Sequence, residues 1–221
     1  MARGQTIFER RFGQPPGVAE LVKLWNNDLT TNLLRVVWTA YDQLHGDFLR
    51  HISWDENYDD LERSITQALE PAMQQVMDSF IPCFVQHSPR ERESRLVRGQ
   101  PPEYDIAFVW HEDRRIMWPL EAKVIQSDTD TRLADYIDTI NQRYLQCRYA
   151  PFSNGGAMLG YLKAGRAPVV MHTIEVRLGQ HLTQHPEFMT RSHKTSDHIR
   201  TVPSGKNYPI HFRCHHLILQ M

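Results

Sequence analysis

Asp105, Glu121 and Lys123 combine two carboxylates with one ammonium at a spacing that a pair of β-strands would close. Residues 104–110 and 114–125 are rich in β-branched and aromatic side chains, and the polar residues 111–114 read as the turn of a hairpin. Side chains alternate across a strand, so Ile116, Trp118, Leu120, Ala122 and Val124 share one side, the core side, while Glu121 and Lys123 share the other. A turn centred near Asp113 brings Asp105 opposite Leu120 or Glu121. Two carboxylates that close raise a pKa unless a cation sits between them, and a divalent ion that prefers hard oxygen ligands meets that need. Magnesium or manganese is the expected species, with the Ala122 carbonyl as a further ligand and waters completing the shell. Such an ion acidifies its bound water and neutralises charge growing on a phosphoryl group. Lys123 then holds the attacking water or the pentavalent phosphate, as general base or as electrostatic clamp. The bland reading is that Glu-x-Lys is common and that Asp105 merely begins a strand.

The elements that must position these residues follow from periodicity. Residues 18–51 carry apolar side chains at helical spacing (Leu21, Leu24, Trp25, Leu29, Leu33, Leu34, Val37), with a break near Asn26 and Asn27. A second helix is expected to begin in the acidic run 55–60, continue with Leu61, Ile65, Leu69, Ala72, Val76 and Phe80 on one face, and bend or divide at Pro71. Residues 87–102 read as a connector with a short strand at 95–98. Helical spacing returns over 129–148, through Leu133, Tyr136, Ile137, Ile140, Tyr144 and Leu145. Residues 158–162, 169–178 and 211–220 read as strands, and 179–208 as a surface excursion. Gly155, Gly156 and Gly160 lack the spacing of a phosphate-cradling loop and read as strand-edge or turn residues. The fold class that results is α/β, a layered domain with a central mixed sheet flanked by helices. Residues 1–54 form an N-terminal helical extension and 55–221 the main domain.

The segment 102–105, Pro-Glu-Tyr-Asp, followed after 15 residues by Glu121-Ala122-Lys123, resembles the PD-(D/E)xK nuclease superfamily, the restriction-endonuclease-like fold. The proline stands three residues before Asp105 rather than next to it, a departure from the family pattern. The resemblance covers about residues 55–178 in element order. It implies a metal-dependent nuclease that hydrolyses phosphodiester bonds, with Asp105 and Glu121 as metal ligands and Lys123 as the catalytic lysine. Many members place a glutamate on the helix before the hairpin; Glu62 is the first candidate for it and Glu70 the second. On the helix after the motif, Arg143 is the candidate phosphate contact beside Gln142 and Tyr144, and Tyr136 and Tyr144 are assigned to core or rim. A positive strip beside the site would draw on Arg143, Arg148, Lys163 or Arg166. DNA is the leading partner, with RNA open, and the family's roles point to prokaryotic DNA processing or antiphage defence. No attached recognition domain is evident, so specificity is expected to be weak or supplied by a partner, and a protein partner or a homodimer is open.

Composition bounds these readings. At 221 residues and 25.9 kDa, 41 % apolar, the chain supports one sizeable core and is short for two. Three cysteines, none in a Cys-x-x-Cys pair, suggest neither a disulfide framework nor a sulfur-rich zinc site, and a reducing cytoplasm fits. No run approaches the roughly 20 apolar residues that span a bilayer, so a soluble protein with no membrane partner is expected. The net charge of −1 hides a division: residues 1–128 hold 14 basic against 20 acidic side chains, and residues 129–221 hold 11 against 6. Twelve histidines raise a zinc alternative around His211, Cys214, His215 and His216, with His185, His193 or His198 as distant help. On a strand, His211 and His215 face away from Cys214 and His216, so ordinary polar packing accounts for them more cheaply. Two rivals to a nuclease remain: an inactive nuclease-fold subunit acting in protein or nucleic-acid interaction, and a histidine-coordinated hydrolase.

Overall fold

The computed structural model describes residue 20 and residues 23–47, 57–93, 100–128, 130 and 132–221. The strand expected at 95–98 and the first residues of the acidic run lie outside these. Helix α1 (Asn27–Asp47) starts at the expected break, where Asn26 caps it by accepting from Leu29 N at 2.9 Å. Helix α2 (Tyr58–Val76) is capped by Asn57, whose side chain accepts from Asp59 N at 3.1 Å. Pro71 was expected to bend or divide this helix; α2 instead runs through it unbroken. Both Pro71 and Gln67, whose carbonyl loses its partner there, lie on the exposed face, open to solvent.

Strands β1 (Cys83–His87), β2 (Ile106–Trp110) and β3 (Met117–Ile125) form an antiparallel meander, so the expected hairpin is present with a longer turn that takes in Arg114, Arg115 and Ile116. Ile106 pairs with Leu120 and Phe108 with Trp118. A crossover through α3 (Leu133–Thr139) and a π-turn (Ile140–Tyr144) brings β4 (Gly155–Leu162) parallel to β3. Helix α4 (Ala167–Leu178), β5 (Thr183–Gln184), β6 (His193–Ile199) and β7 (His211–Gln220) complete a mixed seven-stranded sheet in the order β1-β2-β3-β4-β7-β6-β5. The molecule is thus α/β.

Residues 169–178, read above as a strand, belong to α4. Pro168 in the first turn and Gly179 in the left-handed conformation (φ 61°) punctuate a helix, and the buried Ala167, Val170, Met171 and Ile174 follow helical spacing. Residues 179–208, read as an excursion, contribute two strands, and β6 carries buried His193, Ser196 and His198 into the sheet. The glycines of β4 lie within a central strand, not at an edge.

Helices cover both faces of the sheet. Leu33, Leu34 and Val37 of α1 and Leu61, Ile65 and Leu69 of α2 pack with Trp118, Leu120 and Ala122 on one face. Tyr136 and Ile137 of α3 and Val170 and Ile174 of α4 pack with Ala107, Met158 and Ile218 on the other. The side of β3 that carries Glu121 is therefore also a core.

At Gly160 a Cβ would stand 2.7 Å from Cδ1 of both Ile125 and Ile218. Gly160→Val is expected to lower stability by about 1–3 kcal/mol through overpacking, as read by urea unfolding.

Candidate active site

The site forms where Asp105 enters β2. The β2–β3 register extends to set Asp105 against Glu121, one of the two partners the spacing allowed. The Asp105 side chain accepts a hydrogen bond from Ala122 N at 2.7 Å, and its own carbonyl accepts from Ser88 N at 3.0 Å. A carboxylate is thus fixed to the backbone between Glu121 and Lys123. Burial pushes the Asp105 carboxyl up against the opposing pull of Lys123, the Ala122 amide and Arg143.

Glu121 is 3 % exposed. Its Oε1 accepts from Arg143 Nη1 at 3.2 Å, while its buried Oε2 has no partner. Burial, followed by the charge of Asp105, holds this carboxyl well above its ordinary range, with Lys123 and Arg143 acting the other way. Lys123 Nζ donates to Glu62 Oε1 at 2.9 Å and to the Ala122 carbonyl at 2.6 Å. Glu62 reaches in from the first turns of α2, and its other oxygen accepts from Val124 N at 3.3 Å. Burial disfavours the lysine charge, but Glu62, Glu121 and Asp105 outweigh it, so the ammonium is held above its usual pKa. Glu62 is raised by burial and lowered chiefly by Lys123.

Arg143 comes from the π-turn that ends the crossover helix, where Leu145 N bonds back to the Ile140 carbonyl. Its Nη1 also donates to the Tyr149 hydroxyl, which in turn donates to the Glu103 carbonyl at 2.7 Å. The structure therefore brings together Asp105, Glu121, Lys123, Glu62 and Arg143. Lys163 stands just past β4, its amide bonded to the Ile125 carbonyl, beyond the level at which Lys123 faces Gly160. Arg166 lies further on, at the cap of α4, while Arg148 lines a cavity of about 350 Å³ with Arg143 and Tyr149. Glu70 accepts from Gln74 two turns along α2 from Glu62, Gln142 is exposed, and Tyr144 is buried with its hydroxyl on the Ala157 carbonyl at 3.1 Å. Tyr149 was not anticipated: it sits in the aperiodic stretch after the π-turn and carries no motif.

Comparison with family models, curated proteins and solved structures finds no match to this chain.

The case for a cation rests on the donor set. Three carboxyls, Asp105, Glu121 and Glu62, are all pushed up, while two bases, Lys123 and Arg143, are both held charged; with every group ionised the cluster would carry one more negative charge than its own cations balance. With the unpartnered Glu121 oxygen, this suits a hard divalent ion. As the side chains stand, the other donors are engaged. Ala122, expected to lend its carbonyl, gives it to Lys123, and no group of three or more His, Cys, Asp or Glu among the described residues is arranged to hold a metal.

The histidines pair with one another instead. Trp38 Nε1 donates to His193 Nδ1 at 3.2 Å, which makes His193 Nε2 the donor to His215 Nδ1, also at 3.2 Å. On the opposite face Ser196 joins His198 and His216. Burial lowers the pKa of all four, so they pack as neutral rings.

Glu121 generates a stability prediction. Its carboxyl is raised in the folded state, so between the ordinary value of 4.5 and that raised value the folded form binds more protons than the unfolded form. Stability from this group is complete below the ordinary value and is lost as pH rises. Glu121→Gln is expected to be about 1 kcal/mol more stable than wild type at pH 8, the order of one buried unsatisfied acceptor, and equal to it near pH 4. Thermal unfolding at the two pH values checks this.

Proposed function

We propose that this protein is a metal-dependent nuclease that hydrolyses nucleic-acid phosphodiester bonds, DNA foremost. The observation that carries the reading is the Asp105 carboxylate bonded to Ala122 N, which joins the two separated parts of the motif at one point of the sheet. The element order supports the resemblance: a helix bearing Glu62, a three-strand antiparallel meander, a crossover helix and a parallel fourth strand. The helix, the hairpin, the helix after it and a further strand match the element order that the resemblance implies.

Asp105, Glu121 and the Ala122 carbonyl would hold magnesium or manganese, which supplies charge neutralisation and an acidified water. The remaining work falls to this chain's own side chains. Lys123, kept charged by Glu62, is set to hold the nucleophile or to meet charge on the phosphate. Glu62 orients that ammonium through two bonds, one to Nζ and one to the Val124 amide. Arg143, with 46 % of its side chain exposed, supplies a guanidinium for a phosphate oxygen. A cytoplasmic role in prokaryotic DNA processing or defence belongs to the same proposal.

A second reading is an inactive nuclease-fold subunit that binds protein or nucleic acid. It is favoured by the ion pair between Arg143 and Glu121, which occupies a carboxylate that catalysis needs for metal.

Purified protein, alone and with candidate partners, should cleave DNA or RNA in magnesium or manganese and stop on chelation. Glu121→Ala and Lys123→Ala are each expected to lose at least about 100-fold in rate while remaining folded by circular dichroism. Full activity in both folded variants rejects the assignment. Inactivity of every form under all these conditions favours the subunit reading.

A further inference from the structure

Tyr149 lies outside the motif, yet it holds the guanidinium that contacts the motif's Glu121. Its ring is buried, its hydroxyl accepts from Arg143 Nη1 and donates to the Glu103 carbonyl, and the Arg143 guanidinium sits 5.1 Å from its ring centroid. The backbone around it is tightly held. Cys147 (φ 53°) and Ala150 (φ 46°) adopt the left-handed conformation that side chains disfavour. Ala150 N donates to the Tyr104 hydroxyl at 2.8 Å, and Arg200 Nη2 donates to the Tyr149 carbonyl at 3.1 Å. Arg200 Nη1 reaches the Ala150 and Ser153 carbonyls as well.

Arg143 is the partner able to move. Nearly half of its side chain is exposed, and it borders the 350 Å³ cavity also lined by Gln100, Pro102, Glu103, Arg148 and Tyr149. Two arginines on that cavity suit a phosphodiester, whose two non-bridging oxygens match paired guanidinium donors. A divalent ion and the Arg143 guanidinium, by contrast, compete for the same Glu121 carboxylate and repel each other.

Resting on the nuclease reading, we infer that Tyr149 is a positioning residue that parks Arg143 on Glu121. A phosphodiester entering the adjoining cavity draws Arg143 away and opens Glu121 to the divalent ion. Metal and nucleic acid therefore bind with positive coupling. The coupling is reciprocal: whatever factor the nucleic acid adds to metal affinity, the metal adds to nucleic-acid affinity. Its size should be about tenfold, within the usual range for coupled sites.

The test is manganese affinity, read from the loss of the free-ion EPR signal and corrected for manganese taken up by the oligonucleotide. It is measured with and without a phosphorothioate oligodeoxynucleotide, which slows cleavage. Wild type should bind manganese weakly alone and about tenfold more tightly with the oligonucleotide. Arg143→Met should bind manganese about tenfold more tightly than wild type in the absence of the oligonucleotide and show no further gain on adding it. Tyr149→Phe should shift in the same direction by about threefold; a merely structural role for Tyr149 predicts weaker, not tighter, binding. Glu121→Gln should lose the site. If Arg143→Met and Tyr149→Phe bind no more tightly than wild type while Glu121→Gln has lost manganese, the parking of Arg143 is overturned and the nuclease reading stands. If Glu121→Gln binds as wild type does, or if no form binds, the metal assignment fails and the inference fails with it.

Discussion

A carboxylate sunk into the middle of a sheet, with one oxygen bonded to nothing, is the constraint that the surrounding structure answers. Burying an ionised carboxylate without partners costs several kcal/mol, so either its pKa rises or charges gather round it. Both occur at Glu121. Its position in β3, between β2 and β4, with helices packed on both faces of the sheet, accounts for its burial. Compensation arrives from separate elements: Lys123 on the same strand, held by Glu62 of α2, and Arg143 of the π-turn, held by Tyr149 of the following loop. A fold that needed only stability would place leucine there. Retaining the acid, and the apparatus that tolerates it, is the kind of local inconsistency that marks a functional position.

The second consequence runs outward from Arg143. An ordinary α-helical turn would continue the 3.6-residue spacing of α3; the wider π-turn inserts a residue and resets which side chain faces the sheet. The chain then leaves through two left-handed residues, and that strain is offset by bonds from a distant part of the molecule. Arg200, just beyond β6, donates to three carbonyls of this loop and lies 4.0 Å from the Phe212 ring centroid. Thr201 N bonds to the Leu145 carbonyl. The far edge of the sheet thereby holds the loop that holds Tyr149, and Tyr149 holds the guanidinium at the buried carboxylate. Burial lowers the Arg200 pKa to about 10, which still leaves it charged at neutral pH.

What could be read from the sequence was what local spacing encodes. The hairpin and the alternation on β3 followed from a period of two, and the approach of Asp105 to Glu121 from the length of the turn. Glu62 came from the resemblance, which implies a glutamate on the helix before the hairpin. What escaped depended on interactions with no periodic signature. In α4, Val169 and Val170 favour a strand by composition, and only Pro168, Gly179 and the spacing of Val170, Met171 and Ile174 tell otherwise. Strand β6 buries histidines and a serine in hydrogen-bonded pairs with β7, so a search for apolar alternation passes over it. The turn that carries Arg143 and the loop that carries Tyr149 are set by tertiary bonds to Tyr104 and Arg200, far away in sequence.

The balance of charge links these observations. With every group ionised, Asp105, Glu121 and Glu62 outnumber Lys123 and Arg143 by one negative charge, and a buried cluster cannot dilute that excess in solvent. A monovalent cation would cancel it; a divalent ion overshoots and leaves one positive charge. On the nuclease reading that overshoot has a use, because each phosphodiester brings one negative charge. Neutrality is then reached only when ion and phosphate are both in place, and each makes the other's burial less costly. The Arg143–Glu121 pair is what the cluster does with its cations until then. The same low dielectric that lifts the Glu121 pKa makes half-loaded states unfavourable, and so couples the two binding events more strongly than exposed charges at equal distances would.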